Sequence, residues 1–491
     1  MKHLPFIRHA VIFIGMAAAA VNVFGAAWAQ PVPLPNPSFE SGTETPDEWQ
    51  LSGGEGGWTA DAAEGNRAVY VSGTAHSQSS TCWHTGPLPF EPNRVYRLSF
   101  QAKRESGTGG SPITGPGFCN RDLHEVTPEW KRYVSYFVVP SITMDTRLRF
   151  GQWEAEGVIA FDDISLVRVE PVYCRHDDIL LGAGERIEGN VYDFTVPLEG
   201  ESANQARPLV ELACTYNRPR WTFGRDNRVV YRHQVGGETQ TSGEIEISIG
   251  YYRAGSLIVE AQRDDTGVWT PVGSQDREGG LHAALPASLF PAKSITVRLR
   301  GASVPEKDTT EVNLQVHGYT YRSTLERAPG NLQGDTRFMA ILETDDTVQV
   351  TFDDLETART DGPGSLAFHA ANLTGNPLVI EPCLTVAGEG AAPETTRLAP
   401  VTLPPASGEG EKSSSVPFVL PFPLLRAGEG AMTLTLGGDT RYRAETTFQV
   451  SVLHETHYGW TLPGSTEEAA LWWASSGWKV SRTRPGSRRP S

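Results

Sequence analysis

Short runs of alternating apolar and polar residues, cut by turns rich in Gly, Pro, Ser and Asp, recur along almost the whole chain. "RAVYVSG", "RVYRLSFQAKR", "KRYVSYFVVP", "TRLRFGQW" and "GVIAFDDISLVRV" follow one another between Arg67 and Val169. Each has a period of two and is rich in Val, Tyr, Phe and Thr, which is the signature of half-buried strands. Many short strands at this spacing bury a core only by stacking sheets, so the chain reads as all-β, with jelly-roll or sandwich architecture.

The pattern continues through "GNVYDFTVPL", "RPLVELACTY", "RVVYRHQV", "EIEISIGYY", "SLIVEAQRD", "KSITVRLRG" and "EVNLQVHGYTYRS". Between two of these runs "RDDTGVW", Arg263 to Trp269, is a hairpin signal. A third block holds "DTVQVTFDD", "SLAFHAANLTGNPLVIEP" and "AMTLTLGGDTRYRAETTFQV". Within it, "GEGAAPETTRLAPVTLPPASGEGEKSSS" reads as a long loop by its Pro, Gly, Ser and Glu content. A length of 491 residues suits about three domains.

The two ends read differently. Lys2, His3 and Arg8, the apolar run "AVIFIGMAAAAVNVFGA" and the small-residue site "AWA" predict a secretory signal peptide over 1–29, with Gln30 the first mature residue. That implies a secreted or cell-envelope (periplasmic or extracellular) protein with no membrane contact after cleavage. The far end, 460–491, opens with a helix-like stretch around Trp472 and Trp473 and passes into an Arg, Pro and Ser tail expected to be disordered. The expected domains are 30–170, 171–328 and 329–459.

Charge narrows the partner. Fifty-eight acidic residues against 42 basic ones give a net charge of −16, which argues against nucleic acid, since phosphate neutralisation needs a basic surface. A neutral polymer is compatible with it. The five cysteines Cys82, Cys119, Cys174, Cys214 and Cys383 contain no CxxC pair. Domain-local pairs Cys82–Cys119 and Cys174–Cys214, or buried free thiols, are the two readings.

Two acidic stretches bracket the first domain: "NPSFESG" with Glu40, and "FDDISL" with Asp162 and Asp163. If the first and last strands are neighbours, Glu40 and Asp162 face one another, and Glu64 in "AEGNRAV" supplies a third acid. Oxygens of this kind suit calcium, which takes six to eight of them. The alternative is a set of turn acids that cap loops. Alternation sends Asp163 to the face opposite Asp162.

The order and spacing of "NPSFESGTETPDEWQLSGGEGGW", "EGNRAVYV", "CWHTGPLPFEPNRVYRLSFQAKR", "EWKRYVSYFVVP" and "GVIAFDDISL" resemble the family 4/9/22-type carbohydrate-binding modules over about Pro33 to Val169. The resemblance implies a jelly roll with a structural calcium far from the sugar site. Carried over, the ligands are the side chains of Glu40, Glu64 and Asp162 and the backbone carbonyls of Ser38 and Arg67. The second unit is similar to a galactose-binding-like sandwich, on its strand pattern and "GSLIVEAQRDDTGVWTPVG"; the third looks immunoglobulin-like at "ANLTGNP". "LWWASSGWKVSRTRP" is similar to the segment preceding the catalytic barrel of family 123-type glycoside hydrolase-related secreted proteins.

A pyranose stacks its C–H face on a flat ring while its hydroxyls take hydrogen bonds. The candidate rings are Trp58, Trp83, Tyr96, Trp130, Tyr136 and Trp153, each read against a packing role. Trp83, between Cys82 and His84, and Trp153, beside Gln152, have polar neighbours able to reach hydroxyls. A further cluster, Arg220, Trp221, Arg225 and Arg232, reads either as Arg stems over aromatics or as a second contact to a sugar or acidic glycan. For catalysis, "RHDD" at Arg175 to Asp178 and the Asp353–Asp354 pair sit in no recognisable frame, and no GxSxG, HExxH or P-loop occurs. The expectation is a non-catalytic protein that targets polysaccharide through its N-terminal module. The alternatives are the accessory region of a glycoside hydrolase whose barrel is missing, and a cell-surface structural or adhesion protein.

Overall fold

The computed structural model describes residues 32–450 except 75–79, 109, 122, 124, 143, 155, 203, 265, 304–310, 357–363, 389, 408–411 and 423–427. The expected signal peptide and the C-terminal tail with Trp472 and Trp473 lie outside the described residues.

One strand, Glu156–His176, organises the molecule. Its first half lies between Ala68–Thr74 and Val95–Ser106. Further along, Val169–Tyr173 pairs with Thr336–Ala340, and Cys174–His176 pairs with Ile179–Leu181. The sheet of the first sandwich therefore runs on into the third. The expected boundary at 170 falls inside a continuous strand. The strand is covered on both faces along part of its length: Ile159, Phe161, Leu166, Val167 and Val169 are all buried, adjacent Leu166 and Val167 on opposite faces. A bulge between Asp162 and Ser165 shifts the register, with Asp163 at φ +46. Asp tolerates this left-handed conformation better than most residues.

In the first sandwich, a four-stranded sheet ordered Gln50–Ser52, Thr81–Pro87, Arg147–Trp153, Ser111–Pro116 packs on the sheet that holds Glu156–His176. Trp49, Phe100, Phe150 and Phe161 meet between the two layers. The second sandwich stacks a nine-stranded sheet on a five-stranded one. It shares its core with the first, because Cys119–Asn120 pairs in parallel with Tyr216–Asn217 and one buried cluster spans both. The third sandwich closes its own core, with Met339, Phe352, Phe368, Leu384 and Leu434.

The hairpin expected at Arg263–Trp269 joins two antiparallel strands, Ser256–Arg263 and Thr270–Gln275. The stretch expected to be a long loop instead lays down two short strands, Glu394–Arg397 and Val401–Leu403, on the edge of Leu378–Gly388. Its Thr395, Thr396, Val401 and Thr402 are β-branched residues that favour this. All five cysteines are free, so neither expected disulfide forms. Burial pushes the Cys119 and Cys214 thiols far above their ordinary range.

Candidate binding face and cation site

Strand parity decides which aromatics can meet a ligand. In Arg147–Trp153, Leu148, Phe150 and Gln152 point into the core, whereas Arg149, Gly151 and Trp153 point out. Across the register, Cys82 lies opposite Gly151 and His84 opposite Arg149. Ser52 and Gln50 continue those rows, and Ser111 and Ile113 flank the other side. The outer face therefore carries an indole, an imidazole, a guanidinium and an amide around small central residues. Gly151 keeps the middle low, since a Cβ there would run into Thr81 and Cys82.

Trp153 is 43% exposed at the end of this face. The other expected sugar contacts are not on it. Trp83 is 2% exposed and donates its indole N–H to the Tyr70 carbonyl at 3.0 Å, so it has no free face to offer. Tyr96 is also 2% exposed, packed against Phe90 and Phe137. Gln152 is buried on the face opposite Trp153, and neither amide atom finds a hydrogen-bond partner among the described residues. Trp58 lies under the Arg67 guanidinium, 4.3 Å from ring centroid to carbon. Trp130 bonds Asp61, and Tyr136 stacks on Phe338 at 3.9 Å. The residues that do accompany Trp153 are His84, Arg149 and Gln50. The available signal along the strand was same-parity spacing, which picks out Arg149 at i−4 rather than the adjacent Gln152; His84 and Gln50 join it only through the register.

The acids of the first domain converge on one turn. Asp162 Oδ2 accepts the N–H groups of Ala63 and Glu64, both at 2.9 Å, and Oδ1 accepts that of Asp163 at 2.7 Å. Glu40 Oε1 accepts Asn66 N–H at 2.7 Å and Arg67 N–H at 2.9 Å. Gly65 is required between them: its φ is +69, and a Cβ would meet the Glu40 carboxylate. The Asn66 N–H is the main cause that holds the Glu40 carboxyl below its usual range. Burial pushes Asp162 up to about 6 despite its three N–H donors. Glu64, by contrast, is exposed and offers its N–H rather than its carboxylate. The expected three-carboxylate set is not assembled, and no cluster of three or more His, Cys, Asp or Glu is found among the described residues. Two carboxylates remain, Glu40 and the fully buried Asp162, each accepting N–H groups of the turn from Ala63 to Arg67. Asp163 turns away and pairs with Arg132.

Buried Glu185 and half-buried Asp353 elsewhere are engaged. Glu185 is met by Arg207 through two hydrogen bonds, at 2.7 and 2.5 Å, by Tyr192 and by the Gly182 N–H. Asp353 is taken by His369 and by Arg175.

Sandwiches fused through shared sheets, one of them presenting a polar face with a projecting indole, define an all-β protein of tandem β-sandwiches. No family model matches the sequence. No curated protein matches it either. Among solved structures, the chain is similar to the N-terminal CBM22-1-CBM22-2 tandem domain of Paenibacillus barcinonensis Xyn10C, at 12% identity over 58% of this chain and 96% of that one, with TM-score 0.22. It is similar also to the CBM22-1 xylan-binding domain of the same protein, at 17% identity over 27% and 90%, with TM-score 0.21. The ANX1 ectodomain of Arabidopsis thaliana matches at 9% identity over 57% and 90%, with TM-score 0.18.

Proposed function

We propose that this is a secreted, non-catalytic carbohydrate-binding protein that holds a polysaccharide on the outer face of its N-terminal four-stranded sheet. The observation that carries this reading is Trp153, an indole 43% exposed at the edge of a face otherwise made of hydrogen-bonding side chains. Its ring supplies the stacking surface. His84, Arg149 and Gln50 supply donors and acceptors for hydroxyls along the same rows.

The same sandwich is proposed to hold a structural calcium through Glu40 and Asp162, with the carbonyls of Ser38 and Arg67. When bound, the ion would neutralise the buried Asp162 charge. The chain's own residues already fix the turn from Ala63 to Arg67 that would face it.

The test is a glycan array on the mature chain, followed by calorimetric titration of the best neutral oligosaccharide. Replacing a stacking ring costs about 1–3 kcal/mol at comparable aromatic platforms, and Trp153→Ala is expected to fall in that range. Unchanged affinity in a folded Trp153→Ala protein would move the sugar off this face.

A further inference from the structure

The second sandwich carries a built cleft on a sheet face. Its five-stranded sheet is ordered Leu209–Ala213, Arg228–Gln234, Ser294–Ala302, Ser256–Arg263, Thr270–Gln275. One face is core: Val229, Tyr231 and His233 alternate inward with Val297, Leu299 and Val259. The other face reads across the strands in rows. Arg232, Thr296 and Gln262 are register partners, and so are Val230, Arg298 and Glu260. An outward sheet face in water is ordinarily shallow, but here a cavity of about 250 Å³ is walled by Trp269 on one side and by Val210 and Glu211 on the other. Val210 sits at a register shift of its strand, which breaks the flat edge.

The walls are fixed. Arg298 bonds Glu260 at 3.0 and 2.7 Å while its guanidinium lies 4.0 Å from the Trp269 ring centroid. Arg228 grips Glu211 in a fork of 2.9 and 2.6 Å. Inside, two oxygens are stranded. Thr296 is 4% exposed, and its Oγ1 has no hydrogen-bond partner among the described residues; nor does Gln262 Oε1. Buried oxygens of this kind are costly unless something bonds them. Around them Arg228, Arg232 and Arg298 line the cleft, with Glu211 and Glu260 paired to Arg228 and Arg298.

We propose that this cleft binds one uronic acid unit of an acidic polysaccharide. The indole takes the C–H face of the ring, the two stranded oxygens take hydroxyl protons, and the arginines take the carboxylate in charge-assisted hydrogen bonds. The cavity is smaller than the roughly 300 Å³ at which pockets for drug-sized ligands begin, which suits a single sugar ring. The site lies in another sandwich from Trp153 and does not rest on that residue's role.

The experiment titrates the mature chain with galacturonate and glucuronate trisaccharides and with their methyl esters, which keep the ring and lose the charge. At least one free acid should bind, with its ester about tenfold weaker or more, as loss of a charge-assisted bond implies. Trp269→Ala and Thr296→Val should each weaken the acid, and Arg232→Gln should shrink the gap between acid and ester. Trp153→Ala should leave this binding unchanged. No binding of either acid, equal affinity for acid and ester, or full affinity in folded Trp269→Ala and Thr296→Val proteins would overturn the site.

Discussion

The buried carboxylate of Asp162 holds Glu64 by its backbone: Oδ2 accepts the Glu64 N–H at 2.9 Å while the Glu64 side chain faces solvent. Glu64→Ala should therefore leave stability within about 0.5 kcal/mol, as for most surface changes. Asp162→Ala strands the N–H groups of Ala63, Glu64 and Asp163 and should cost about 1–3 kcal/mol or more. Denaturant unfolding of the two variants measures the difference. Equal losses would mean that the Glu64 side chain has a role beyond its main chain.

Calcium should stabilise the first sandwich if Glu40 and Asp162 share it. An ion that binds only the folded state adds RT ln(1 + [L]/Kd), about 2.7 kcal/mol at a hundredfold excess over Kd. Melting curves in calcium and in chelator should then separate by several degrees, and Asp162→Ala should abolish the separation. Asp163→Ala should retain it, because that carboxylate is turned toward Arg132. Superimposable curves for the unaltered chain would leave Asp162 and Glu40 as braces of the Ala63–Arg67 turn and nothing more.

Trp83 and Trp153 should behave as opposites. Trp83 fills the core across the register from Phe150, so Trp83→Ala should cost about 3–5 kcal/mol of stability. Trp153 projects from the sheet, so Trp153→Ala should change stability by about 0.5 kcal/mol or less while removing sugar affinity. Thermal melts and titrations on the same two proteins separate packing from recognition. A Trp153→Ala protein as unstable as Trp83→Ala would make Trp153 a packing residue.

The strand rhythm was readable from sequence because alternation is local: each run declares its own period, and the "RDDTGVW" hairpin declares its own turn. Parity was not. "CWHTG" and "GQW" show that residues alternate without showing which alternate faces water, and that choice depends on the second sheet. Trp83, open to either a sugar contact or a packing role, lies inside, while Arg149 and Gln50 went unremarked. Pairing between distant segments was equally hidden. Thr296 and Gln262 become neighbours of Arg232 only through the register of strands far apart in sequence. Arg232 was visible as part of a basic, aromatic stretch; its partner Trp221 in that stretch is buried in the core. The cysteines likewise offered plausible spacings, but spacing does not bring two thiols together.

His233 gives the second sandwich an acid-sensitive core. The ring is fully buried, stacked on Tyr321 at 3.8 Å, with Nε2 2.8 Å from the Tyr319 hydroxyl. Burial, helped by the Arg207 charge, depresses its pKa well below the ordinary value. The tyrosines around it, Tyr192, Tyr231, Tyr319 and Tyr321, are all shifted upward and stay neutral across this range. In the unfolded chain the imidazole takes a proton near pH 6.5, whereas in the folded chain it does not. Below that pH the unfolded state binds more protons, so stability is present above about 6.5 and falls as pH drops toward the depressed folded value. The slope from this one site approaches about 1.4 kcal/mol per pH unit. His233→Gln keeps a polar partner for Tyr319 and cannot titrate. It should therefore lose less stability than the unaltered chain between pH 7 and pH 5, even if it starts lower. Urea unfolding of both proteins at the two pH values decides it: parallel losses would assign the acid sensitivity to other groups.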